Sequence, residues 1–107
     1  MCSSDLQLIF THEARYARHV AELTAEIPDA TLVELDVSDD EQITEAFRRL
    51  DLQVGGLDFL VHAIAGGGGK ALMGRVTDTE RADFRIMFEV STYSLIALTR
   101  EIGRAHV

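Results

Sequence analysis

Along this chain, short continuous apolar runs alternate with stretches whose apolar residues recur at helical spacing. Gln7–Thr11 is a brief apolar run with a β-branched end and predicts a strand. From Glu13 to Ile27 the period changes: Tyr16, Val20, Leu23 and Ile27 fall on one helical face, while Arg15, Arg18, Glu22 and Glu26 fall on others. Pro28 and Asp29 stop that helix. Thr31–Val37 predicts a second strand, rich in β-branched residues. Ser38 followed by Glu41 has the form of a capping box, and Asp39 and Asp40 suit the positive end of the helix it opens. Ile43, Ala46, Phe47 and Leu50 make the apolar stripe of that helix, and Gly55–Gly56 ends it. Leu57–Ala65 is too continuously apolar for a half-exposed strand and predicts one buried on both faces of a parallel sheet. It runs into the glycine tract Gly66–Gly69 and a loop to Asp78. A last helix is expected from Thr79 as N-cap, with Glu80 and Asp83 in its first turn and Phe84, Met87, Phe88, Leu95 and Leu98 as core contacts.

The order strand, helix, strand, helix, strand, helix implies an α/β fold with a parallel sheet and right-handed crossovers. Its 107 residues allow one modest core and therefore one domain. A hydrophobic content of 47% fits a soluble globular protein, and the net charge of −8 argues against nucleic acid or an anionic membrane as partner. With no apolar run of bilayer-spanning length and no charged-then-apolar leader, a cytoplasmic location is expected.

Both ends have an unusual property. The tail EIGRAHV can be encoded as GAG ATC GGA AGA GCA CAC GTC. The reverse complement of that DNA translates as DVCSSDL, and the chain begins MCSSDL. One oligonucleotide read in both directions thus accounts for both ends, as a sequencing adapter would. On this reading residues 1–6 and 101–107 are scars, and 7–100 is the natural part, cut from a longer gene at both ends. Omitting Asp5, Glu101 and Arg104 leaves a charge of −7, and Cys2, the only cysteine, carries no thiol chemistry worth reading.

Few residues carry chemistry. Asp36 closes the second strand, where an acid either meets a polar ligand group at the carboxyl edge of the sheet or serves the helix that follows. His62 lies in the third strand, where a hydrogen-bonded structural histidine is the commoner role. His12 and His19 share no ligand spacing with it, so no metal site is suggested. Ser91, Thr92, Tyr93 and Ser94 sit mid-helix, where packing or a local backbone hydrogen bond is expected. No G-x-G-x-x-G and no P-loop motif occurs.

The combination of D-V at Asp36–Val37, V-H-A-I-A at Val61–Ala65 and D-F…S-T-Y-S-L at Asp83–Leu95 closely resembles the NADH-dependent enoyl-acyl-carrier-protein reductases. These are the divergent branch of the short-chain dehydrogenase/reductase superfamily; ordinary members carry N-N-A-G in place of His62–Ala65. The resemblance implies a partial Rossmann-like, doubly wound parallel sheet. It implies NADH as cofactor, an enoyl-acyl-carrier-protein substrate reduced at its trans-2 double bond in fatty-acid synthesis, and a homotetrameric parent. By the same resemblance Asp36 and Val37 hold the adenine end, and Ala63, Ile64 and Ala65 line the ribose and nicotinamide side. His12 and Glu13 approach the adenosine ribose, where an acid repels a 2′-phosphate and favours NADH.

The sequence departs from the pattern where family members have a segment containing Phe-Ala-Pro, which walls the acyl pocket. Gly66–Gly68 stands there, so Gly66 and Gly67 are the substrate-side candidates and that wall is expected to be missing. The family's first strand and glycine-rich turn would precede Gln7, and its catalytic tyrosine and lysine would follow Arg100, so no catalytic residue is assigned and the fragment is not competent alone. In the strand order 3-2-1-4 the first strand lies between Gln7–Thr11 and Leu57–Ala65. Without it two sheet edges stay open, and the isolated chain is expected to be marginal or prone to aggregate. A carbonyl-reducing short-chain dehydrogenase and a non-catalytic dinucleotide-binding module are the alternatives.

Overall fold

The computed structural model describes residues 7–67 and 72–105, and the chain forms two compact units, one ending at Asp36 and one beginning at Val37. In the first unit, strand β1 (Ile9–His12) pairs in parallel with β2 (Thr31–Glu34), with Ile9 opposite Thr31 and His12 opposite Glu34. Backbone hydrogen bonds from Thr31 N–H to Leu8 O (3.0 Å) and from Leu35 N–H to His12 O (2.8 Å) carry the ladder one step past each end. Val33 and Leu35 are buried.

The crossover is a 3₁₀ turn (Ala14–Tyr16) leading into helix α1 (Ala17–Thr24). The helix is shorter than the periodicity suggested. Its expected stripe is only partly covered: Tyr16 and Leu23 are exposed, while Thr24 is buried and donates its hydroxyl to Val20 O at 2.8 Å. Ile27 N–H returns to Thr24 O, and Asp29 takes a positive φ of 59°, so the chain turns where Pro28 and Asp29 were expected to stop it.

In the second unit, α2 (Asp40–Val54) buries Ile43, Ala46 and Leu50, with Phe47 half-buried, as its stripe predicted. Its N-cap is Asp39 rather than Ser38. The Asp39 carboxylate accepts from the backbone N–H of Glu41 (3.0 Å) and Gln42 (3.3 Å). The carboxylate of Asp39 reaches the orphan donors of the first turn directly, so the cap lies one residue after the expected position. Gly55 ends the helix with φ 73°, a left-handed conformation that favours glycine.

A 3₁₀ turn (Val76–Asp78) precedes α3 (Arg81–Phe88), a π turn (Glu89–Tyr93) and α4 (Ser94–Ala105). The N-cap position of α3 is Glu80, one residue after the expected Thr79. Helical geometry continues through residues 101–105, so it does not mark the boundary proposed at Arg100. Helix α4 packs on α2, burying Ala97 and Leu98. Of the five expected core contacts, Leu98 is buried and Met87 half-buried, whereas Phe84, Phe88 and Leu95 are exposed. The apolar residues thus fall on an open side of the helix as well as on the side packed against α2.

The third strand does not form. Residues 57–67 belong to neither strand nor helix, and among the described residues the sheet has two strands, β1 and β2. Phe59 (63% exposed) and Val61 (74%) are not buried on both faces as expected. A strand needs a ladder partner, and none of the described residues supplies one to this segment.

Candidate functional site

Residues 62–67 lie against the helix that carries the π turn. From Val61 to Ala65 exposure alternates, with His62 and Ile64 half-buried and Val61, Ala63 and Ala65 exposed, the pattern of an extended segment covered on one side. Two serines of the helix hold it. His62 Nε2 is 2.8 Å from Ser94 Oγ, and Gly66 N–H donates to Ser91 Oγ at 3.1 Å.

The hydrogen count settles the roles. Ser94, with no exposed surface, donates its one hydroxyl hydrogen to Val90 O at 2.7 Å, so it accepts from His62 and the proton on that ring sits on Nε2. Ser91 donates to Gly66 O at 3.3 Å while accepting from Gly66 N–H. One hydroxyl therefore serves both backbone groups of Gly66. Among the described residues no buried side-chain polar atom lacks a partner.

Contact at the glycines is close. A Cβ at Gly66 would meet Val90 Cγ1 at 2.8 Å, and one at Gly67 would meet Met87 Cγ at 2.8 Å. Val90 and Met87 thus occupy the space that side chains at these positions would need. A π turn is uncommon in helices and recurs at functional sites, and here it carries Ser91 at its centre with Ser94 immediately after it.

The sequence-predicted residues divide between the two units. Asp36 is half-buried at the end of the first, while Val37 is buried at the start of the second. Ala63, Ile64, Ala65, Gly66 and Gly67 form one contiguous stretch in the second unit; Gly68 and Gly69 fall outside the described residues. His12 directs Nδ1 at Glu13 O (2.9 Å), and the Glu13 carboxylate pairs with Arg15 Nε at 2.8 Å, while Arg15 lies over the Tyr16 ring. Glu13 is therefore not a lone acid. Sequence reasoning placed His62 as a hydrogen-bonded structural histidine and Ser94 on a local backbone carbonyl, and both hold. It missed the bonds across the segment. The available signal was the spacing of Ser91 and Ser94, which puts two hydroxyls on one helical face.

Grooves on the described surface lie elsewhere. One, apolar, is lined by Phe47, Leu50, Val54, Leu57 and Ile102 beside α2. Among the described residues no group of histidine, cysteine or carboxylate side chains could hold a metal ion, and no helix is long and apolar enough to cross a membrane.

Comparison with known proteins agrees with the motifs. A family profile described as "Enoyl-(Acyl carrier protein) reductase" matches residues 1–107. Curated relatives include the enoyl-[acyl-carrier-protein] reductase [NADH] of Aquifex aeolicus, 39% identical over 90% of this chain and 36% of its own length. The [NADPH] enzyme of Staphylococcus aureus is 32% identical over 89% of this chain and 38% of its own length. Among solved structures, the Aquifex aeolicus enzyme superposes with a TM-score of 0.85 at 38% identity, covering 92% of this chain and 40% of that one. The Bacillus cereus reductase, solved with NADP+ and indole naphthyridinone, gives 0.83 at 32% identity over 92% of this chain and 40% of that one. The likeness makes the fold part of a Rossmann-like α/β architecture. The chain spans a little over a third of the length of the curated relatives it matches.

Proposed function

We propose, given that this chain belongs to the enoyl-(acyl carrier protein) reductase family, that it contributes the cofactor-lining middle of an enzyme that reduces the trans-2 double bond of enoyl-acyl-carrier-protein in fatty-acid synthesis. The observation that carries this reading is the Ala63–Ala65 stretch. Its two alanines are exposed, bear only methyl groups and lie between two anchored residues, His62 and Gly66. A flat ring and its ribose need such a smooth and rigid surface. When bound, the nicotinamide supplies the hydride that reaches the enoyl β-carbon.

The residues of this chain bind and orient. Asp36 and Val37 are assigned to the adenine end, Ala63, Ile64 and Ala65 to the ribose and nicotinamide side, and Gly66 and Gly67 to the acyl side. Met87 and Val90 back those two glycines, so the acyl wall here is built from the helix rather than from the segment itself. NADH is the proposed reductant. Relatives carry both cofactors in their names, and the Glu13 carboxylate favours NADH by repelling a 2′-phosphate. Arg15 offsets part of that charge, so the preference is modest.

The complete protein is proposed to be a cytoplasmic homotetramer. In support, the outer side of α3 and α4 exposes Phe84, Phe88, Leu95 and Ile96, a surface that calls for cover.

The reading is tested by sequencing the source DNA outward from the coding region of residues 7–100. The account expects a strand and glycine-rich turn upstream, and a tyrosine shortly before a lysine downstream. A reading frame that lacks both would sink it.

A further inference from the structure

Residues 62–66 are held against the helix at two points four residues apart. The point at His62 is a side-chain contact, His62 Nε2 to Ser94 Oγ at 2.8 Å. The point at Gly66 differs in kind, because a single hydroxyl accepts the backbone N–H (3.1 Å) and donates to the backbone C=O (3.3 Å) of the same residue. In a sheet those two groups would bond to a neighbouring strand. A helical serine ordinarily donates to the carbonyl four residues back, as Ser94 does to Val90. Ser91, at the centre of the π turn, donates across to the segment instead.

We propose that Ser91 is a positioning residue whose hydroxyl holds both backbone groups of Gly66 and so fixes the register of Ala63–Ala65 against the helix. The part of this inference that concerns the cofactor rests on the function proposed above. Sterics point the same way as the hydrogen bonds. The position opposite Ser91 favours glycine, because a Cβ there would lie 2.8 Å from Val90 Cγ1 and force a shift. A slip of one residue toward the carboxyl end would bring the Ala65 methyl into that space and exchange the covered and open sides of the segment. The hydroxyl and the absent side chain therefore select one register together, and it is the register that leaves Ala63 and Ala65 on the open side.

The test is amide hydrogen exchange on the 107-residue chain and its Ser91→Ala and Ser91→Thr variants, with the amides of Ala97 and Leu98 reporting on the fold itself. Ser91→Ala should speed exchange at Gly66 on the order of tenfold while Ala97 and Leu98 keep their protection. Ser91→Thr, which keeps a hydroxyl, should restore most of the Gly66 protection. Unchanged exchange at Gly66 in Ser91→Ala, or equal loss in the alanine and threonine variants, would overturn the proposal. Adding NADH to the protein encoded by the complete reading frame separates the two readings. Shifts of the Ala63 and Ala65 amides that appear in that protein and weaken in its Ser91→Ala variant support positioning for the cofactor. Protection of Gly66 that depends on Ser91, with no response of Ala63 or Ala65 to NADH in the complete protein, supports the register lock and refutes the cofactor reading.

Discussion

His62 donates from Nε2 to Ser94 Oγ at 2.8 Å, and Ser94 in turn donates to Val90 O at 2.7 Å. The relay ties the segment at His62 to the backbone of the helix beneath it. Whenever one ring nitrogen alone is protonated, that nitrogen should be Nε2, which nitrogen-15 chemical shifts of the ring would report. Ser94→Ala removes the acceptor and leaves a half-buried N–H without a partner, at a cost of about 1–3 kcal/mol. Denaturant titration of the variant should show that loss, and an unchanged midpoint would refute the relay.

A side chain at Gly66 is predicted to destabilise the chain. Gly66→Ala places a methyl 2.8 Å from Val90 Cγ1, an overpacking worth roughly 1–3 kcal/mol. Val90→Ala in the same chain should relieve most of it. The two substitutions are then non-additive in a double-mutant cycle, whereas simple additivity would mean that the contact is not made.

The start of α2 separates two adjacent candidates. Asp39→Ala should lose about 0.5–2 kcal/mol, the cost of an N-cap, because its carboxylate accepts from two first-turn amides. Ser38→Ala should lose less. The opposite ranking in thermal or denaturant unfolding would restore the Ser38 capping box.

On the exposed face of the same helix, the hydrogen bond and charge of Arg48 hold Glu45 below its ordinary value of 4.5. A depressed carboxylate pKa stabilises the folded state above the unfolded value, and that contribution disappears as pH falls through the lowered folded value. Glu45→Gln should remove a small part of the acid dependence of unfolding below about pH 4.5, and added salt should shrink the difference. A larger acid dependence in the variant would have the wrong sign.

The elements that sequence periodicity placed well are those whose stabilising contacts are local or repeat along one face. The α2 stripe of Ile43, Ala46, Phe47 and Leu50 and the left-handed Gly55 stop are of this kind. So is the parallel pairing of β1 with β2, which follows from two apolar runs joined by a helix. Ser38 and Asp39 could not be ranked from the sequence because both can cap and only geometry decides between them. For Leu57–Ala65 the run of apolar residues signals burial, but a strand also needs a partner, and hydrophobicity does not say whether one is present. Phe84, Phe88 and Leu95 mislead for a related reason, since an apolar residue reads the same on a covered face and on an open one. Of the site, the motif at Val61–Ala65 was legible through family resemblance and the tie at His62 through its buried neighbourhood. The paired hydrogen bonds of Ser91 with Gly66 were not, because the spacing of Ser91 and Ser94 shows two hydroxyls on one helical face but not what they meet.

Open apolar surface has a consequence for the chain in solution. With Phe59, Val61, Phe84 and Phe88 exposed, the 107-residue chain should self-associate and bind hydrophobic dye in its folded state. A monodisperse monomer at high concentration that binds no dye would contradict the burial described for these residues.

The most direct measurement is the rate at which the protein encoded by the complete reading frame consumes NADH in the presence of a trans-2-enoyl thioester of acyl-carrier protein. The account predicts substrate-dependent oxidation of NADH, with NADPH used less efficiently by a modest factor that Glu13→Gln narrows. No consumption with any enoyl thioester, together with reduction of a carbonyl substrate by the same preparation, would contradict it.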